Sequence, residues 1–157
     1  VLLTRTESRE QEARAAAVAA AYPGGTIGAV HEAAVTTITE GLVEMGVLEG
    51  PPETHAEEEE YKPFFPHQTS HWLGLDVHDP GDYARDGRSR TLEPGMVFTV
   101  EPGLYFRSGS DAAAARFEGI SVRIEDDVLV TSTGCDNLTR ALPTSADSVA
   151  ELVAGER

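Results

Sequence analysis

The chain has 157 residues, 27 acidic and 12 basic, and a formal net charge of −15, which fits one domain and excludes nucleic acid as a main partner, because so acidic a surface repels phosphate backbones. Its single cysteine, Cys135, excludes a disulfide within the chain and any zinc site built from several thiolates. Hydrophobic residues, at 40%, run slightly low for a compact globule, as Gly- and Pro-rich loops or an absent part of a larger domain would produce.

Residues 8–22 carry Glu, Gln, Arg and a run of Ala, all strong helix formers, and Pro23-Gly24-Gly25 stops that predicted helix. A second helix is expected from Ile27 to Met45. Ile27, Val30, Ala34, Ile38, Leu42 and Met45 recur at steps of three and four and form one apolar stripe. Thr26 suits its N-cap and Gly46 its C-terminal stop. Two antiparallel helices joined by a Pro-Gly turn therefore open the chain.

A linker follows, with Pro51-Pro52 and the acidic run Glu57 to Glu60. Such a run is either a metal-collecting patch or a solvated segment. Adjacent side chains on an exposed segment do not converge on one ion, so the solvated reading is expected.

From Tyr61 the texture changes. Leu92-Glu93-Pro94-Gly95 has Pro and Gly in the order of a type II turn. The strand after it alternates, with Met96, Phe98 and Val100 on one face and Val97, Thr99 and Glu101 on the other. Ile120, Val122 and Ile124 alternate likewise with Ser121, Arg123 and Glu125, and Val128-Leu129-Val130 reads as a further strand. Gly134 and Asn137 mark turns, and the stretch after Pro143 reads as a short closing helix or a frayed end. Helices first and strands afterwards is an α+β order. No glycine-rich phosphate loop is present. No stretch has the length and apolarity of a membrane span, and Val1-Leu2-Leu3 meets charges too soon for a signal peptide, so a cytoplasmic protein is expected.

Two glutamates stand out because they end apolar strands, Glu101 before Pro102-Gly103 and Glu125 with Arg123 on its face. Charge on a buried sheet face is costly unless it is paired or bound to metal. Two such carboxylates and a histidine-rich segment, residues 67–79, suit a divalent cation held by oxygen and imidazole nitrogen. The plainer alternative is a pair of solvent-exposed strand ends with Arg123 as an ion-pair partner. His71 and His78 are seven apart and would lie on opposite faces of a straight strand, so Gly74 or a loop must bend the chain if both serve one site. Cys135 follows Gly134 in a turn, far in sequence from any motif histidine, and is expected to be an ordinary half-buried thiol.

Three blocks carry a family likeness. They are His67-Gln68-Thr69-Ser70-His71-Trp72-Leu73-Gly74-Leu75-Asp76-Val77-His78-Asp79, then Leu92-Glu93-Pro94-Gly95-Met96-Val97-Phe98-Thr99-Val100-Glu101-Pro102-Gly103-Leu104-Tyr105, then Gly119-Ile120-Ser121-Val122-Arg123-Ile124-Glu125-Asp126-Asp127. In this order and spacing they resemble the signature blocks of the Xaa-Pro aminopeptidase (aminopeptidase P) family, to which proline dipeptidases are close. Residues 23–48 are similar as well. The likeness covers nearly the whole chain but only the later part of the family's catalytic domain.

The resemblance implies a partial pita-bread fold, an N-terminal helix pair followed by a curved, mainly antiparallel sheet that holds metals. Residues 1–157 would form the later part of one such domain: a helix pair (1–48), a linker (49–66), metal-site strands and loops (67–143) and a tail (144–157). By motif match, His71, Glu101 and Glu125 are the metal ligands, Glu125 bridging two metals and Glu101 doubling as a general acid/base. His67 and His78 match histidines that hold substrate and stabilise the tetrahedral intermediate, and Arg123 matches a residue that orients the site. The implied cofactor is a divalent metal, manganese above all, two per site. The implied activity is hydrolysis, by a metal-activated water, of peptides with proline at the second position. Proline dipeptidase, a non-catalytic pita-bread binding module and a metal-free creatinase-like hydrolase are the alternatives.

The chain departs from the family pattern in two ways. Two aspartate ligands should precede the first helix, yet no aspartate occurs before Asp76, and Leu2 and Leu3 stand where an acid is expected before Thr4-Arg5-Thr6. Gln68 stands where the family often has Gly. The resulting expectations are weak, single-metal binding, little peptidase activity for this chain alone, and uncovered sheet edges that favour a homo-oligomer.

Overall fold

The computed structural model describes residues 2–109 and 112–155. Helix α1 spans Leu2–Ala19. It begins earlier than composition alone indicates, at Leu2 rather than Ser8, and ends before the turn at Ala20 to Gly25. Thr6, Glu10, Ala13 and Ala17 recur at steps of four and three and form its buried stripe. Two of the four are polar, which hides the stripe from a hydrophobicity reading.

Helix α2 spans Ile27–Glu44, within one residue of the sequence expectation. Thr26 sits in extended conformation and its hydroxyl accepts from Ala29 N at 3.1 Å, as an N-cap should. At the other end Gly46 has φ +65°, Gly46 N donates to Val43 O and Val47 N to Leu42 O. This is the paired closure of a Schellman motif, and it requires a left-handed residue where Gly46 stands. The two helices pack closely: a Cβ on Gly41 would lie 2.9 Å from Cδ of Arg9.

The linker holds one short helix, α3, Pro52–Glu57. Glu57 to Glu60 are exposed, so the acidic run is solvated as expected. Two short strands, β1 (Ala84–Arg85) and β2 (Arg88–Ser89), form a hairpin. The hairpin docks on the start of α2, where Ser89 Oγ accepts from Gly28 N at 2.7 Å.

The remaining strands are β3 (Val97–Val100), β4 (Gly103–Tyr105), β5 (Ser121–Arg123), β6 (Asp126–Val130) and β7 (Cys135–Asn137). They pair antiparallel in the orders β3-β6-β7 and β4-β5. The 93–96 turn forms as predicted, with Gly95 at φ +96° and Met96 N donating to Glu93 O. Along β3 the alternation is incomplete, since Thr99 is buried together with Phe98 and Val100. Its hydroxyl accepts from His71 N at 3.0 Å, which satisfies the buried polar group. The extended stretch 69–73 lies along the free edge of β3, through Leu73 N to Val97 O, Thr99 N to His71 O and Glu101 N to Thr69 O.

Between sheets and helices lies an aromatic-rich core that includes Phe64, Phe65, Phe98, Phe106 and Phe117, with Phe106 stacked on Phe117 at 4.9 Å. Cys135 is half-buried, its thiol directed at Val18 O. A closing helix, α4, Ala146–Ala154, is capped by Ser145 and buries none of its residues. Among the described residues no helix is long and apolar enough to cross a membrane.

Candidate metal centre

Strands β3 and β4 are two parts of one bent strand, and β5 and β6 are two parts of its partner. Val100 pairs with Asp126 on one side of the bend and Gly103 with Arg123 on the other. The register is the same on both sides. Carried across the gap, it sets Glu101 directly opposite Glu125 and Pro102 opposite Ile124. The ladder breaks at Pro102, which has no N–H to give. Glu101 N turns outward to Thr69 O, so Glu101 and Glu125 face each other as a non-hydrogen-bonded pair, the kind with the closer side chains.

Two like charges facing each other across a ladder are destabilising. Here they share the space with an imidazole. One nitrogen of His71 and one carboxylate oxygen each of Glu101 and Glu125 all lie within 4.8 Å of one another. No other such group of three occurs among the described residues. The donor set fits a divalent cation of hard or borderline character, for which oxygen and imidazole nitrogen are the usual ligands.

Each donor is held from behind. His71 Nδ1 lies 3.1 Å from Trp72 O. A carbonyl only accepts, so Nδ1 carries the proton and the Nε2 lone pair is left for the centre. That Nε2 is 3.3 Å from Glu101 Oε1, both side chains being mostly buried. Glu101 Oε1 also accepts from Thr99 Oγ1 at 3.1 Å, and Arg123 Nη1 approaches Oε2 at 3.4 Å. Thr99 thus joins the His71 backbone to the Glu101 carboxylate. Glu125 is exposed, yet partial desolvation, with the charges of Glu101 and Asp127, holds its carboxyl above the usual carboxylate range.

The other two histidines also come to this region. The loop after Trp72 folds back through Gly74 N to Asp76 O and Asp79 N to Trp72 O. This brings the His78 ring edge-on to His71, with centroids 4.4 Å apart. Gly74 lies within this bend, where a Cβ would come 2.5 Å from Asp79 Oδ2 and displace that side chain. His67 donates from Nδ1 to Gln68 O at 2.9 Å, and its Nε2 meets the Tyr105 hydroxyl at 2.8 Å. Tyr105 was not singled out from sequence, although it closes the second block. Burial raises its pKa, with charge effects from Arg123 and Glu101. A cavity of about 680 Å³ between α1 and α2, lined by residues that include Arg5, Arg9 and Glu44, contains none of these groups.

The sequence pattern of metallopeptidase family M24 matches residues 8–132. The chain belongs to that family. Among M24 relatives, the Xaa-Pro aminopeptidase of Escherichia coli is 44% identical over 135 residues, which make up 86% of this chain and 30% of that protein. Xaa-Pro aminopeptidase 1 of Streptomyces coelicolor is 44% identical over 147 residues, 91% of this chain and 29% of that one. The structure of Pseudomonas aeruginosa aminopeptidase PepP superposes with a TM-score of 0.90 at 44% identity, covering 96% of this chain and 34% of that chain. Aminopeptidase P from Escherichia coli with the inhibitor Pro-Leu gives 0.89 at 38% identity, covering 98% and 35%. This M24 chain thus spans about 30% of the length of the curated relatives it matches. Its α+β, partial pita-bread architecture is the one the sequence led us to expect.

Proposed function

We propose that this chain carries part of the active site of a metal-dependent aminopeptidase that hydrolyses N-terminal Xaa-Pro bonds. The observation that supports this most is the convergence of His71, Glu101 and Glu125 around one point, with two carboxylates opposed on facing strands. The names of the relatives supply the substrate class. Manganese is the cation we propose. A cation held by these three donors supplies Lewis-acid activation of water and of the scissile carbonyl.

The chain's own residues do the rest. His71 presents Nε2 because Nδ1 is committed to Trp72 O. Glu101, steadied by Thr99 and Arg123, is the group placed to take the proton from the attacking water and return it to the leaving proline nitrogen. That nitrogen, like any amide nitrogen, must gain a proton to depart as an amine. His78, exposed beside His71, and His67, tied to Tyr105, are the groups placed to hold the substrate and the oxyanion that forms at its carbonyl. With three donors, we propose one cation bound weakly by the isolated chain and little turnover without two further acidic ligands.

The test is manganese binding by equilibrium dialysis for the unaltered chain and for H71A, E101Q and E125Q. Binding that is lost in all three supports the centre, and uptake that persists in any one of them refutes it. A panel of Xaa-Pro dipeptides against longer Xaa-Pro peptides separates an aminopeptidase from a proline dipeptidase.

A further inference from the structure

Helix α1 places two ionisable side chains, Glu10 and Arg14, against the strand that bears Glu125. They sit one helical turn apart and reach the residues on either side of that glutamate. Glu10 Oε1 accepts from Ile124 N at 3.0 Å. Arg14 forms an ion pair with Asp126, whose other oxygen accepts from Thr139 Oγ1 at 2.8 Å. Thr139 N is in turn held by Asn137 Oδ1 at 2.9 Å. The residues before and after Glu125 are therefore both fixed by side chains, at the point where the β4–β5 ladder has ended and the β3–β6 ladder has not begun.

The arrangement is costly, which argues for a specific role. Glu10 is fully buried and Asp126 almost so. The second oxygen of Glu10 and Nε of Arg14 have no hydrogen-bond partner among the described residues. Burying these groups costs several kcal/mol in general. An apolar pair at these positions would hold α1 on the sheet without that penalty. What an apolar pair would not do is fix the backbone at Ile124 and the rotation of the strand at Asp126. Those two constraints set where the exposed carboxylate between them points.

We propose that Glu10 and Arg14 are positioning residues that aim the Glu125 carboxylate at the centre it shares with His71 and Glu101. The proposal rests on the reading of those three residues as metal ligands. Neither Glu10 nor Arg14 touches the cation. Each acts through the backbone next to a ligand, as supporting residues of metal sites commonly do.

The test uses the full chain and Co(II) alone, titrated by its visible absorption, which reports affinity and coordination geometry together. The variants are E10A, E10Q, R14M and R14K, with A17G as a control that loosens the same helix without removing the hydrogen bond to Ile124 or the ion pair to Asp126. E10A and R14M are expected to weaken Co(II) binding roughly tenfold or more and to alter the absorption bands. E10Q keeps an oxygen for Ile124 N, and R14K keeps a cation for Asp126, so both should return binding toward that of the unaltered chain. A17G should lower the melting temperature and leave affinity and spectrum unchanged. If E10A and R14M lose stability as A17G does but bind Co(II) with unchanged affinity and bands, the positioning role is refuted. If R14M does not fold, R14K and the E10A/E10Q pair decide the matter. E125Q separates the two layers of reasoning: if it binds Co(II) as the unaltered chain does, the ligand assignment fails, and the positioning role with it.

Discussion

Replacing Glu10 by Gln is expected to abolish the pH dependence of stability that this one side chain imposes. Burial raises the Glu10 carboxyl from 4.5 to about 8, outweighing the Ile124 N–H and Arg14, which pull it down. The folded chain therefore holds Glu10 neutral across most of the range in which the unfolded chain ionises it. Its contribution to stability is fully present below pH 4.5 and is lost progressively as pH rises toward 8. Each pKa unit corresponds to about 1.4 kcal/mol, so moving from pH 5 to just above pH 8 costs roughly 4 kcal/mol. Gln carries no titrating proton and still offers an oxygen to Ile124 N. E10Q should match the unaltered chain near pH 5 and exceed it near pH 8, with a melting temperature higher there by roughly 10 °C at the usual 2–4 °C per kcal/mol for a domain of this size. The assay is thermal or urea unfolding of both proteins at half-unit steps from pH 5 to 8.5. Subtracting one profile from the other cancels every other titrating group. Parallel profiles would show that Glu10 ionises normally in the folded chain, and the account of its burial would be wrong.

Three further outcomes are expected. In metal-free buffer E125Q should be a few tenths of a kcal/mol more stable than the unaltered chain, because it relieves the opposition to Glu101. With free manganese near a hundred times its Kd, the order should invert, since the unaltered chain alone gains about 2.7 kcal/mol; differential scanning calorimetry with and without chelator reads both. G74A forces Asp79 aside and should swing His78 away from His71, seen as a loss of ring-current shift in the His71 proton resonances while metal affinity holds. T26A removes the hydroxyl that caps α2 and should cost about 1 kcal/mol in urea unfolding.

Helix α2 was legible almost to the residue because its information is local: apolar spacing, a capping threonine and a terminal glycine. The 93–96 turn and the cores of β3 and β6 were legible for the same reason. The six site residues came from motif resemblance, and their spacing alone left an ordinary strand-end reading open. The facing of Glu101 and Glu125 depends on a register between strands that have a long connection between them, and nothing local encodes it. The start of α1 was misjudged because its buried stripe includes Thr6 and Glu10, residues that sequence reading assigns to solvent. The Tyr105–His67 contact was missed although both residues lie in the quoted blocks, because partnership across 38 positions is a property of packing.

Because the two carboxylates are facing rungs of one ladder, the length of the connection from β4 to β5 does not set their meeting. Insertions should therefore be tolerated at the exposed positions of that connection, such as 108–109, clear of the buried Phe106, Ala114 and Phe117. Adding or removing a single residue within either bent strand is different: it would turn one carboxylate to the opposite side of the sheet. Natural length variation and engineered loop grafts are expected to fall between the strands and to spare the nine positions from Val97 to Tyr105.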